Sequence, residues 1–182
     1  IAIAALAIAD LQDNGWHGQI RKNGKQGTSN VGVIRGGDAT NVVTDHVLVR
    51  AEARSHDRQF RRTIVKEIRQ AFERALGKIV SVDGKRGRMN WTGQLDYDSF
   101  RLKTSEPCVQ VAQAAVRSLG LEPELAIANG GLDANWTTKH GIPTVSLGCG
   151  QRNAHTVNEQ LDIEQFQTAC QVALTLATGT ED

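Results

Sequence analysis

Apolar residues recur at helical spacing from the start of the chain, at Ile1, Ala5, Ile8 and Leu11, and predict an amphipathic helix. No basic segment precedes them, and Asp10 and Asp13 follow at once, which argues against a signal peptide. The helix is expected to be already under way at residue 1, as if the chain were cut there. A turn-rich stretch follows, DNGWHGQIRKNGKQG. TSNVGVIRGG then carries Val31 and Val33 on one parity before a Gly-Gly stop and predicts a strand. In NVVTDHVLVRAEARS, Val43, Val47, Val49, Ala51 and Ala53 share one face of a strand, and His46, Leu48, Arg50, Glu52 and Arg54 share the other.

Ser55-His56-Asp57 opens a long helix whose apolar positions Phe60, Ile64, Ile68, Phe72 and Leu76 are spaced by four, with Gly77 as its stop. GRMNWTGQLDYDSFRL alternates weakly and predicts a further strand. Residues 1–100 therefore predict an α+β unit, a sheet with two helices on one face, lacking its N-terminal strand. In residues 101–182, Pro107 stands just inside a helix start and VQVAQAAVRSLG continues that helix. PELAIANGG predicts a strand entering a glycine-rich turn, WTTKHGIPTVSLGCG a helix and then a strand, and LDIEQFQTACQVALTLATG a helix with Ile163, Phe166, Cys170 and Leu174 on one side. This alternation is an α/β pattern with too few strands for a complete sheet of its own.

Composition narrows the function classes. With 21 basic and 20 acidic residues the net charge is +1, which gives no reason to expect nucleic acid or a membrane surface as partner. No apolar run approaches the roughly 20 residues that span a bilayer. Cys108, Cys149 and Cys170 are odd in number and without CxxC spacing, which points away from a disulfide framework or cysteine-zinc site and towards a reducing, cytoplasmic setting. Each is expected to be a small core or near-core residue.

Three constellations could carry chemistry. The segment NGGLDAN, residues 129–135, follows a strand, and its glycine pair would let a ligand approach the backbone. It reads as a phosphate cradle, as the wall of a substrate pocket at a strand's C-terminal end, or as a tight turn only. It matches neither GxGxxG nor a Walker loop. His155, in a loop after the apolar PTVSLGCG, reads as a metal ligand or as an exposed histidine. Glu159 reads better as a helix-start carboxylate than as a second ligand. Asn41 and Arg54 read as an amide and a guanidinium gripping an acidic group, or Arg54 reads as a surface residue paired with Glu52.

Taken in order, GVIRGGDATNVVTDHVLVRAEARSHD, a helix, and GGLDANWTTKHGIPTVSLGCGQRNAHTVNE resemble the zinc exopeptidase family of aminoacylase, carboxypeptidase G and tripeptide aminopeptidase (peptidase T). The resemblance covers nearly the whole chain and is nearest the peptidase-T-like branch. It implies that residues 1–100 are a lid, or dimerisation, domain and residues 101–182 the C-terminal part of a dizinc catalytic domain. It implies that His155 is a metal ligand, that Asn41 and Arg54 grip the substrate, and that Gly130, Gly131 and Asp133 line its site. Two zinc ions would activate a water for attack on a peptide, or on an N-acyl or N-carbamoyl amino acid, in a homodimer paired through the lid. Leu132 stands where the family commonly has Thr or Ser, and Thr44 where it has Pro. The His-x-Asp pair, the bridging Asp, the Glu-Glu pair and the lid's catalytic His would all precede residue 1, so no catalytic residue is expected here and the chain alone is expected to be inactive. Two alternatives are a non-catalytic dimerisation module, with TSNVGVIRG as its edge strand, and a nucleotide-binding α/β protein resting on GGLDAN alone.

Overall fold

The structure is a computed structural model and describes residues 1–128 and 130–179. The chain has an α/β fold in two compact units, Ile1–Ser99 and Phe100–Asp182.

In the first unit, helix α1 (Ala2–Asp13) precedes strands β1 (Gly18–Lys22), β2 (Lys25–Arg35) and β3 (Leu48–Arg54), and helix α2 (Arg58–Lys78) follows. The strands form an antiparallel sheet in the order β1-β2-β3. One core joins helices and sheet: Ala4, Ala7 and Leu11 of α1, Ile20 of β1, and Phe60, Ile64, Ile68, Ala71, Phe72 and Ala75 of α2, with Val31, Val47, Val49 and Ala53 packed against it. The odd-numbered face of the β3 segment thus meets the core, as alternation requires. The buried face of α1 is shifted from the predicted one. Ala4 and Ala7 face inward with Leu11, whereas Ile1 and Ala5 are exposed; small side chains on both helices, with Ala71 and Ala75 on α2, suit their close packing.

The stretch 13–27 is not merely turns. It contains β1, joined to β2 by Asn23 and Gly24 at φ of 52° and 73°. Two consecutive left-handed residues make the two-residue hairpin turn whose twist suits the flanking strands. Buried Ser29 donates to the Trp16 carbonyl, fixing the entry to β1. Gly27, in mid-strand, is required by crowding: a β-carbon there would lie 2.6 Å from the Arg54 carbonyl oxygen and 2.7 Å from Ile64 Cδ1.

β3 begins at Leu48, later than expected, and Val43 is fully exposed in the turns before it. Asp57 caps α2, its Oδ1 accepting from the Phe60 N–H at 2.9 Å while its Oδ2 lies 2.8 Å from Lys25 Nζ. Buried Ser55 donates to the Gln26 carbonyl at 2.6 Å and so ties the start of α2 to the hairpin. The strand expected over GRMNWTGQLDYDSFRL is absent among the described residues. Side chains hold this segment instead of a ladder: Met89 and Trp91 pack on the core, and Asp98 receives Arg61 at 3.2 Å.

The second unit comprises α3 (Pro107–Ser118), α4 (Asp133–Lys139), β4 (Gln151–Arg152), β5 (Gln160–Leu161) and α5 (Ile163–Thr178). Pro107 opens α3, where its missing N–H costs nothing. Val109, Ala112 and Ala115 of α3 and Val172 of α5 are buried where the two helices pack. The strands expected in PELAIANGG and PTVSLGCG do not form among the described residues. Neither segment joins a ladder among the described residues, and Leu125, Ile127 and Leu147 are exposed. The expected inner face of α5 is likewise open at Ile163, Phe166 and Leu174. Cys149 and Cys170 are exposed and Cys108 is half-buried, so the expectation of core cysteines fails for the first two.

Candidate functional site

The expected site residues divide between the units. Asn41 and Arg54 belong to the first; Gly130, Gly131, Asp133 and His155 belong to the second.

Asn41 is exposed in the turns that lead into β3. Arg54 ends β3 on the face turned away from the core, opposite Thr28 of β2. Its Nη2 donates to Glu52 Oε2 at 2.7 Å. Residues two apart on a strand share a face, so this pair follows from the local sequence. The hydrogen bond to Glu52 raises the guanidinium pKa further above its ordinary value. The charge stays fixed and its fork is partly engaged.

Asn129 lies outside the described residues. Gly130, Gly131 and Asp133 form the exposed approach to α4. A β-carbon at Gly130 would meet nothing within 4 Å, so the backbone there is open to an approaching molecule. Leu132 is the extended residue before the helix, and its N–H donates to Oδ1 of buried Asn135 at 2.9 Å. Asp133 stands in the first helical turn, where a carboxylate suits the exposed N–H groups. Beyond it, Thr137 and Thr144 share a 2.7 Å hydroxyl contact that ties α4 to the segment after it.

His155 sits in the connection between β4 and β5, whose ladder pairs Gln151 with Leu161 and Arg152 with Gln160. Asn153 and His155 both have positive φ, 52° and 66°. The Thr156 hydroxyl donates to the Asn153 carbonyl at 2.8 Å. The His155 N–H donates to Glu159 Oε2 at 2.7 Å, and Gln151 Nε2 donates to Glu159 Oε1 at 2.9 Å. These bonds, first that of His155, hold the Glu159 carboxyl below the ordinary glutamate value. Glu159 was expected at a helix start. That place belongs to Asp162, whose Oδ1 accepts from the Gln165 N–H at 3.2 Å, and Glu159 braces the loop instead. The structural role of Glu159 was not read from the sequence; Asn153, a residue that tolerates left-handed backbone, was the signal for a tight connection.

As a donor, His155 fits one position of a metal site: its side chain is exposed and an imidazole nitrogen suits zinc. Among the described residues, no group of three His, Cys, Asp or Glu side chains is placed to hold a metal ion. No helix among them is long and apolar enough to cross a membrane.

Comparison with known proteins gives this arrangement its context. The model of Peptidase family M20/M25/M40 matches residues 12–179. The uncharacterized protein YqjE of Bacillus subtilis (strain 168) is 32% identical over 176 residues, covering 97% of this chain and 44% of the relative. Peptidase T of Limosilactobacillus fermentum is 28% identical over 132 residues, covering 71% of this chain and 31% of that protein. Among solved structures, a tripeptidase (SAV1512) from Staphylococcus aureus superposes with a TM-score of 0.73 at 34% identity, over 96% of this chain and 43% of that one. Aminopeptidase PepT from Bacillus cereus gives 0.67 at 32% identity, over 96% and 43%. The chain thus spans less than half the length of these relatives. With a match that runs through the three-stranded sheet, the glycine loop and the His155 hairpin alike, the chain belongs to the M20/M25/M40 peptidase family, on its peptidase-T-like side.

Proposed function

We propose that the whole protein to which this chain belongs is a metal-dependent peptidase that cleaves short peptides, and that this chain supplies substrate grip and one metal ligand. The observation that carries this reading is the likeness to a tripeptidase at 34% identity over 96% of the chain. Residues 1–100 are read as the lid and residues 101–182 as part of the catalytic domain. His155 would hold one of two zinc ions. A zinc ion there supplies Lewis acidity towards water and the scissile carbonyl. Arg54 and Asn41 would orient the substrate's acidic end, and the open backbone at Gly130, with exposed Gly131 and Asp133 beside it, would line its path. The remaining ligands and the general base would come from outside this chain, which by itself is read as inactive.

The test is hydrolysis of tripeptides by the longer protein before and after chelation. Loss of activity on chelation and its return with Zn²⁺ support the reading. Activity that survives exhaustive chelation sinks it.

A second reading, a homodimeric lid module, has its own support. TSNVGVIRG is not the edge strand that its sequence suggests: β2 is the middle strand of the sheet. β1 covers it only from Lys25 to Ser29. From Asn30 to Arg35 it pairs with β3 alone, and on the other side His17 Nε2 accepts from the Val31 N–H at 3.5 Å. This half of β2 has an open side among the described residues, and open strand sides accept a second strand. Light scattering tests this second, non-catalytic reading: a strictly monomeric chain at high concentration counts against it.

A further inference from the structure

The hairpin that carries His155 contains a carboxylate, Glu159, to which the proposed mechanism assigns no part. Asn153 and His155 both occupy the left-handed region, which residues other than glycine keep only where their surroundings hold them there. Asn153 holds itself, since its Nδ2 donates to the Asn158 carbonyl at 3.3 Å. The Thr156 hydroxyl steadies the next turn by accepting from the Asn158 N–H at 3.2 Å. The His155 ring makes no comparable bond among the described residues. What fixes His155 is its own N–H, held by Glu159 Oε2 at 2.7 Å, while Glu159 Oε1 is anchored on Gln151 of β4 at 2.9 Å. Glu159 thereby links the loop to the short ladder.

We propose that Glu159 is a positioning residue: by bridging the His155 amide and the Gln151 side chain, it locks the left-handed turn and so sets the direction in which the imidazole leaves the loop. Both oxygens are engaged by hydrogen bonds within the hairpin, which argues against Glu159 as a ligand beside His155. The bearing of this on metal binding rests on the reading of His155 given under Proposed function. Partners that orient a metal-ligating histidine commonly change metal affinity 10- to 100-fold when removed.

The experiment is nuclear magnetic resonance on the present chain, with Glu159→Ala and Glu159→Gln as variants. The carbon shifts and amide coupling of His155 report its φ, and its amide exchange rate reports the bond. Cross-strand contacts of Gln151 with Leu161 show that the hairpin is intact. In Glu159→Ala the left-handed signature should vanish and amide exchange should rise at least about tenfold. Glu159→Gln retains an acceptor oxygen and should keep the turn. Loss in both variants with an intact hairpin also supports the assignment, to the charged carboxylate. An unchanged His155 in Glu159→Ala overturns it. Broadening of the His155 ring signals by Co²⁺ separates this proposal from the metal reading. Severalfold weaker Co²⁺ binding in Glu159→Ala supports the proposal, and equal binding overturns it. A wild-type ring indifferent to Co²⁺ is a failure of the metal reading; the backbone signature then decides the proposal alone.

Discussion

The Cδ1 methyl of Ile64 occupies the space that a side chain at Gly27 would need, 2.7 Å from where its β-carbon would stand. Ile64 is fully buried on α2, and Gly27 lies opposite Ile20 in the hairpin. The helix therefore docks against bare backbone, with the Arg54 carbonyl closing the same space from β3. Gly27→Ala is expected to destabilise the first unit by about 1–3 kcal/mol, the usual cost of overpacking. Ile64→Ala should cost about 2–5 kcal/mol through the cavity it leaves. Urea titration of both variants, of Ile64→Val, and of Gly27→Ala combined with Ile64→Val, checks the contact: the combined variant should be less destabilised than the sum of Gly27→Ala and Ile64→Val.

Acid should weaken the start of α2. Lys25 first, and then the Phe60 N–H, hold the Asp57 carboxyl below its ordinary value in the folded chain. A depressed folded value means that its contribution is complete above the unfolded value and disappears as pH falls through the folded one. Asp57→Ala should therefore flatten the acid limb of a Tm-against-pH curve, and Asp57→Asn, which can still cap, should retain more of the helix at neutral pH. Identical acid limbs in wild type and Asp57→Ala would contradict this assignment.

In the longer peptidase, Arg54→Ala should lower kcat/KM by about 10²-fold if the guanidinium orients substrate. Arg54→Lys should restore little, because an ammonium lacks the planar fork. Steady-state kinetics on a tripeptide is the measurement, and normal kcat/KM in Arg54→Ala would remove the clamp from the proposed mechanism.

Pairing through the open half of β2 should be sensitive to charge. Ile34 is half-exposed in that stretch. Ile34→Lys places a lysine where sheet edges use it to discourage pairing, and should shift a dimer towards monomer in light scattering. A dimer that persists unchanged points to another interface.

Much of the first unit was legible because its signals are local. The four-residue spacing of Phe60, Ile64, Ile68 and Phe72 after the Ser55-His56-Asp57 opening marks α2, and the alternation from Val47 to Ala53 marks the inner face of β3. β1 was missed although Asn23-Gly24 is the strongest short hairpin signal; the glycines around it were taken as loop. In the second unit the apolar runs 123–128 and 143–148 carried strand composition, but a strand is a relation between two segments and composition describes only one. Around the candidate site, the Glu52 partner of Arg54 was readable from same-face spacing. The brace from Glu159 to His155 was not, because it depends on a left-handed backbone that no hydrophobic period encodes.

The tight turn at Asn23 and Gly24 also bears on how the chain is made. Its two strands are neighbours in sequence, and such hairpins close in about 1–10 μs, whereas a ribosome adds roughly 5–20 residues per second. The hairpin can therefore be complete while α2 has yet to be synthesised, and its inner face, with Ile20 and Val31, waits on the order of seconds for its cover. During that interval the nascent chain carries a two-stranded ribbon that is marginal by itself, with an apolar side still uncovered, so slower synthesis of α2 lengthens the time in which that side can meet another chain.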